Sequence, residues 1–285
     1  MADNHIQEMD NLKEQMNDIF SFSSQVPYED HHLLSVAQAS KSLIGMSLNN
    51  PPRNLLIWLE QYIKNFQPDY QLPKPLNNVE EPEIISTHYL KELIKNNNIE
   101  QSRNYLIYLI NMADAGHIME LLLEISLHRS AVSTLFCWYA LKSIPHVSAK
   151  ESIAILFLSL ESLYNIPKHY NNKNKTAEKF YIFCHSYQMK KTQMVRSGKL
   201  APLLSLKIKT LIDEGNNEYI IPEELLVHIR EGGEKGLVQY LSKLKIEKFS
   251  YERILLLDAL RSILLYASES DDFFSFQNGK MKITC

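Results

Sequence analysis

The sequence predicts an all-α protein, a single orthogonal bundle of many helices, and three observations favour this class. Only 8 of the 285 residues are glycine, a fraction well below the usual ~7%. Glycine is the residue that β-bulges, tight hairpins and phosphate loops require. Apolar residues recur at three- and four-residue steps, the period of a helix that buries one face. Hydrophobic residues make up 45% and charged residues 22%, which is ordinary globular usage. We therefore expect one helical domain over residues 1–285.

The element boundaries follow from turn-forming residues between the apolar segments. An amphipathic helix opens the chain, so residues 1–28 are interpreted as a docking segment. The Asn49–Pro52 cluster ends the second helix, because proline restricts the residue before it and asparagine favours turns. Four prolines in 67–82 mark an irregular stretch, and the asparagine-rich stretch 167–175 is the expected internal boundary. Helices are predicted over residues 9–22, 29–48, 53–66, 86–95, 102–124, 128–144, 148–164, 176–195, 201–213, 222–230, 236–244 and 250–267; the tail after residue 271 is expected to be frayed or a docking strand.

Charge, cysteine content and the N-terminus limit the partners and the compartment. The formal net charge is −3, which gives no electrostatic footprint for nucleic acid. Three widely spaced cysteines without a CxxC pair fit a reducing compartment. The N-terminus does not resemble a signal peptide, and no segment approaches 18 uninterrupted apolar residues. We expect a soluble, cytoplasmic protein that does not insert into a membrane.

Common catalytic motifs are missing, so a catalytic hypothesis rests on histidines. The sequence has no GxxxxGK[ST], HExxH or GxSxG motif, and the glycines around residue 233 lack the spacing of a dinucleotide loop. His32 stands at the start of a helix, either as part of a capped terminus or pointing into the mouth of a bundle. His185 lies in the apolar, aromatic segment 180–187 beside Cys184, as a satisfied core histidine or as a group beside a pocket. Cys184 itself is expected to be a small buried hydrophobe.

His117 follows Gly116 inside the predicted helix 102–124. A glycine in the middle of a helix costs about 1 kcal/mol against alanine and usually has a packing or functional reason. Acidic and histidine side chains follow at positions that share its helix face: Glu120, Glu124 and His128. This stripe is either the solvated face of an amphipathic helix or, as a less favoured alternative, a carboxylate–histidine metal site. We otherwise expect no metal.

These histidine contexts, taken in order, resemble the questin oxidase-like family. The segment His32–Ala39 is similar to the family's opening pattern, and Ala115–His117 is similar to its histidine before an apolar helix. Ala131–Ala140 is similar to its alanine-rich helix with an aromatic pair, and Phe183–Tyr187 to its leucine–histidine segment. The match covers about Asp30–Val195 and rests on order and spacing. It divides the chain into a family-like core, 29–195, and C-terminal helices, 196–285.

The resemblance implies an oxidoreductase that inserts oxygen into an aromatic polyketide-type small molecule in the manner of a Baeyer–Villiger monooxygenase, with NADPH as the electron source. It implies that His117 and His185 do general acid–base work and that His32 orients the substrate. Aromatic side chains would line the pocket: Trp138, Tyr139, Phe183 and Tyr187. The alternative is a catalytically inactive protein of the same fold that binds a small ligand or another protein. An oligomer is also possible through the apolar helix around Leu255–Leu265.

Overall fold

A computed structural model describes residues 2–29, 32–74, 86–164, 172–191, 218–266, 274–277 and 280–283. Eleven α-helices over these residues confirm the all-α multi-helix class; orthogonal packing stays a prediction. The helices are α1 (Ala2–Ser23), α2 (Leu33–Ile44), α3 (Arg53–Ile63), α4 (Thr87–Lys95), α5 (Ile99–Met112), α6 (Ala115–Ser126), α7 (Ala131–Ser143), α8 (Ala149–Ser162), α9 (Asn172–Lys191), α10 (Glu223–Lys243) and α11 (Tyr251–Tyr266). The helix predicted over 201–213 and the start of the C-terminal segment 196–285 lie outside the described residues.

Side-chain caps explain where five of these helices begin. Ser86, Asn98, Asp114, Ser130 and Ser148 each stand just before a helix and accept a hydrogen bond from a backbone N–H of its first turn. Such caps satisfy donors that have no partner within the helix. At α8 the cap is a reciprocal capping box with the carboxylate of Glu151.

One of these caps corrects the predicted helix over 102–124, which is two helices. Asp114 has an extended backbone and accepts a hydrogen bond from the backbone N–H of His117, so α5 ends at Met112 and α6 begins at Ala115. Gly116 therefore lies in the first turn of α6, where a glycine does not interrupt a helix. The predicted functional reason for a mid-helix glycine no longer applies.

A glycine also divides α10. Gly233 has φ +54° and ψ −124°, a left-handed conformation that favours glycine. The rings of His228 and Tyr240, on either side of this break, lie 5.5 Å apart between centroids, so the two halves fold against each other. This agrees with the two helices predicted over 222–230 and 236–244.

The chain forms two compact units, one of residues Met1–Gln38 and Ile63–Tyr170, the other of Ala39–Tyr62 and Asn171–Cys285. The division after Tyr170 falls in the stretch 167–175 that the sequence marks as a boundary. The other divisions fall in α2 and at the end of α3. The prediction of a single domain with a docking segment at 1–28 stays a prediction.

In the first unit, α6, α7 and α8 pack against one another, and α5 joins them. The side chains of α7 are buried over almost its whole length, and small hydroxyl residues let these helices approach closely. Ser133 donates a hydrogen bond to the carbonyl of Ser162 at 2.6 Å, and Thr134 donates to that of Ser126 at 3.0 Å. The helix α1 buries Met16, Ile19 and Phe20, as its predicted amphipathic pattern requires.

In the second unit, α9 packs along α11, and α10 also contacts α11. The apolar residues of α11 are mostly buried within the chain: Ile254, Leu255, Leu256, Leu257, Leu260 and Ile263. This burial accounts for the apolar content that suggested an oligomer interface. Three short strands form an antiparallel sheet in the order β1 (Glu218–Ile220), β3 (Lys280–Ile283), β2 (Phe274–Gln277), with Tyr219 and Phe276 both paired with Met281. The predicted docking strand in the tail is thus one of two.

None of the described helices is long and apolar enough to cross a membrane.

Cys137 and Cys184 are buried free thiols, as expected for Cys184, and burial raises the pKa of Cys137 to about 12. Burial also raises the pKa of Cys184, so neither residue is a thiolate nucleophile near neutral pH.

Candidate functional site

His32 stands immediately before α2 in the first unit and is 2% exposed. Its Nδ1 accepts a hydrogen bond from the backbone N–H of Leu34 at 3.1 Å, so the ring proton lies on Nε2, which donates to the carbonyl of Val26 at 2.9 Å. The ring also lies against those of Tyr28 and Phe136. Both ring nitrogens are therefore used by backbone groups, and His32 caps α2 and fixes the chain before it.

Burial lowers the pKa of His32 to about 4, against a smaller raising effect of the bond to Val26. Because the unfolded ring titrates near 6.5, the unfolded chain binds more protons between pH 6.5 and 4. The stability that His32 contributes is complete above pH 6.5 and is lost as the pH falls through 4. We expect the free energy of unfolding to fall by about 2–3 kcal/mol from this residue between pH 7.5 and 4.5. Urea unfolding of wild type and His32→Asn across this range measures the difference. If the free energy of unfolding of the two proteins fell equally with pH, the lowered pKa of His32 would be contradicted.

His117 lies on the surface of the first unit, and its side chain is 48% exposed. Its ring pairs with the carboxylate of Asp114, which also caps α6. The bond from the backbone N–H of His117, together with the ring, holds the pKa of Asp114 below its usual range. This is the arrangement of a helix start in solvent rather than of a buried catalytic base.

The structure does not bring the four residues of the alternative metal site together as one group. Among the described residues, no three His, Cys, Asp or Glu side chains come together in a group that could hold a metal ion. Glu124 instead pairs with Lys91, whose Nζ lies 2.5 Å from its carboxylate oxygen. His128 follows the end of α6 at Ser126, so it does not continue the helical stripe of His117, Glu120 and Glu124.

His185 lies on α9 in the second unit, fully buried, within a polar cluster formed with α11. Its Nδ1 is 2.8 Å from the hydroxyl of Ser262. That hydroxyl donates to the side-chain oxygen of Gln188 at 3.3 Å, so Ser262 accepts from Nδ1–H of the imidazole. On the other side, Nε2 lies 3.8 Å from a carboxylate oxygen of Asp258. One ring nitrogen, Nδ1, thus donates to a hydroxyl, and the other, Nε2, lies next to a carboxylate.

Asp258 connects this histidine to two cations. Arg261, one turn further along α11, binds the other carboxylate oxygen of Asp258 through Nε at 2.7 Å, and both side chains are buried. Lys41 of α2 also belongs to the second unit. Burial and the charge of Arg261 lower its pKa, while Asp258 raises it. We call His185, Gln188, Asp258, Arg261 and Ser262 the α9–α11 cluster.

The four aromatic residues predicted to line a pocket are all buried. Trp138 and Tyr139 lie on α7 in the first unit, and the ammonium of Lys142 lies 5.6 Å and 5.8 Å from their ring centroids. Phe183 and Tyr187 lie on α9 in the second unit, edge to face at 5.5 Å, on either side of His185 in sequence. The convergence of these residues and the three histidines on one pocket stays a prediction.

Sequence reasoning found His185 but missed Lys41, Gln188, Asp258, Arg261 and Ser262. A signal for three of them was present, because Asp258, Arg261 and Ser262 interrupt an otherwise apolar helix at positions i, i+3 and i+4. Charged residues at such positions lie on one helix face, and buried charges need partners. Their partner on α9, His185, is 77 residues away from Ser262 in sequence. A local sequence pattern does not indicate a contact between residues so far apart.

A surface cleft of the first unit is lined wholly by described residues and has a volume of about 440 Å³. Its walls are α1 on one side and the connection from α7 to α8 on the other. The lining includes one cationic side chain, Lys13, and two carboxylates, Asp18 and Glu151. We call it the α1–α8 cleft.

Comparison of this chain with protein-family models, with curated proteins and with solved structures gives no match.

Proposed function

We propose that the chain acts on a small aromatic molecule and that His185 is its proton-transfer group. The observation that carries this proposal is the α9–α11 cluster, in which an imidazole lies between a serine hydroxyl and a carboxylate. Phe183 and Tyr187 lie on the same helix, and aromatic side chains of this kind stack on planar ligands. The proposal includes the cytoplasmic location expected from the sequence.

In this arrangement Nε2 of His185 is the atom that exchanges a proton. Nδ1–H is held by Ser262, so Nε2 carries the lone pair, and Asp258 stabilises the positive charge that forms when Nε2 takes up a proton. Arg261 keeps the carboxylate in place. The imidazole is fully buried, so we expect substrate entry to require movement of the groups that cover it.

The resemblance to questin oxidase-like enzymes supplies the reaction class for this proposal. A Baeyer–Villiger reaction converts a ketone, O2, NADPH and a proton into an ester, NADP⁺ and water. The α1–α8 cleft does not fit NADPH, because its two carboxylates outnumber its one ammonium and would repel the pyrophosphate of the cofactor. The step that this chain's own residues carry out is the proton transfer at His185.

The experiment is an aerobic assay with hydroxylated anthraquinones and NADPH, with product mass as the readout. We expect a product 16 mass units heavier than the substrate, and a loss of about 10²–10⁴-fold in kcat for His185→Gln, the usual range for removing a general acid or base. His88→Gln is the matched control, because His88 is exposed and lies in the other unit. Circular dichroism must show both variants folded. Equal activity of the two variants would overturn the role of His185.

A second candidate is a protein of this fold that binds its ligand without catalysis. The placement of His32 favours it, because both of its ring nitrogens are bonded to the backbone. The exposed position of His117 favours it as well. For this candidate we expect saturable binding of a hydroxylated anthraquinone, measured by fluorescence quenching of the wild type, with no product. Turnover that depends on His185 would reject it.

A further inference from the structure

The α1–α8 cleft contains charged groups of both signs, and these indicate which charges a complementary ligand carries. On one wall, Lys13, Asn17 and Ser21 follow one another at four-residue steps of α1, and Asp18 lies beside them. Side chains at this spacing share one helix face. The opposite wall is the segment Pro145–Ser148 together with Glu151.

Three of the polar side chains on the α1 wall are available to a ligand. The structure gives no hydrogen bond or ion pair to the side chains of Lys13, Asn17 and Asp18 in the described part of the chain. Lys13, Asn17 and Asp18 are also exposed. A ligand can therefore bind these groups without breaking a contact of the protein.

Glu151 contributes a fixed negative charge to the other wall. Burial raises its pKa, but bonds from the hydroxyl of Ser21 and from Ser148 outweigh this effect and leave the pKa below its usual value. The backbone N–H of Ser148 donates to one carboxylate oxygen at 2.7 Å. A carboxylate offers about four acceptor positions, so Glu151 retains acceptor capacity for a ligand.

The rest of the opposite wall is partly apolar. The ring of His146 is stacked on that of Phe20, with centroids 5.9 Å apart and an interplanar angle of 21°. Pro145 and Val147 flank it. This surface suits the aliphatic part of a small molecule.

We propose that the α1–α8 cleft binds a free basic amino acid. Two carboxylates and one ammonium line the cleft, and a basic amino acid carries the complementary set of two cations and one carboxylate. Asp18 and Glu151 would take the α-ammonium and the side-chain cation, and Lys13 the α-carboxylate. A volume of about 440 Å³ lies within the range of small-molecule sites, about 300–1,000 Å³. The proposal does not depend on the function of His185, which lies in the other unit.

Isothermal titration of the full chain with three ligands tests the charge assignment. L-Arginine carries all three charges, agmatine lacks the carboxylate, and L-norvaline lacks the side-chain cation. We expect one L-arginine to bind per chain with a dissociation constant in the millimolar range or below. Agmatine and L-norvaline should each bind about two- to fivefold more weakly, the effect of one exposed ion pair. Equimolar guanidinium chloride controls for unspecific binding.

Variants separate the two ends of the ligand. We expect Asp18→Asn to weaken the binding of L-arginine and of agmatine alike by about two- to fivefold. Lys13→Met should weaken L-arginine by a similar factor and leave agmatine unchanged. Glu14→Gln is the matched control, since Glu14 is an exposed carboxylate on the same helix outside the cleft. No saturable binding of L-arginine, or equal effects of Lys13→Met on both ligands, would overturn the proposal.

Discussion

Replacing His32 by alanine is expected to lower the free energy of unfolding by about 3–5 kcal/mol. The change leaves the buried N–H of Leu34 and the carbonyl of Val26 without their partner, and each buried group without a hydrogen bond costs about 1–3 kcal/mol. It also removes a buried ring that packs against those of Tyr28 and Phe136, which leaves a cavity. Urea unfolding followed by circular dichroism measures the loss.

Two further variants show whether this loss comes from the hydrogen bonds. His32→Asn is expected to recover about 1 kcal/mol relative to alanine, because asparagine is a good N-cap and can accept from Leu34. His88→Ala, at an exposed position, should change stability by less than about 0.5 kcal/mol. A loss below about 1 kcal/mol for His32→Ala would mean that His32 does not hold the start of α2.

Replacing Gly236 by alanine is expected to destabilise the chain by about 3 kcal/mol or more. A Cβ at this position would lie 1.8 Å from the backbone carbonyl oxygen of His228 and 2.6 Å from its carbon. These are backbone atoms, so no side-chain rotation relieves the overlap, and the two halves of α10 must separate. Overpacking of a well-packed site typically costs about 1–3 kcal/mol, occasionally more.

Gly232→Ala is the matched control, four residues away in the same element. A Cβ there meets nothing within 4 Å, and the position is exposed. We expect a change within about 1 kcal/mol, on the stabilising side, because alanine restricts the unfolded chain. Thermal and urea unfolding of the two variants, side by side, give the comparison. Equal stability of Gly236→Ala and Gly232→Ala would show that the halves of α10 do not meet at His228.

Helix periodicity predicted most of the fold, because the apolar face of each helix is a local property of the chain. The exception at residues 102–124 has a local cause as well. Apolar residues continue across the break, and only the side chain of Asp114 as an N-cap separates α5 from α6. The two tail strands pair with each other, and β3 also pairs with β1, more than 50 residues earlier. A local sequence pattern does not predict pairing over such a distance.

The candidate site was predicted less completely than the fold. The aromatic surroundings of His185 marked a buried imidazole, but its partners Asp258 and Ser262 come from a distant helix. His32 was expected to orient a substrate because of the family resemblance. Its position directly before a helix was the better guide, since a side chain there tends to cap the backbone.

Proton transfer at His185 is tested by comparing His185→Gln with His117→Gln in the anthraquinone assay. Both changes replace an imidazole by a neutral amide, one in the buried α9–α11 cluster and one on the surface. We expect His117→Gln to keep kcat within a factor of about 3 and His185→Gln to lose about 10²–10⁴-fold in kcat, with both variants folded. Loss of turnover in His117→Gln together with wild-type turnover in His185→Gln would overturn the role of His185.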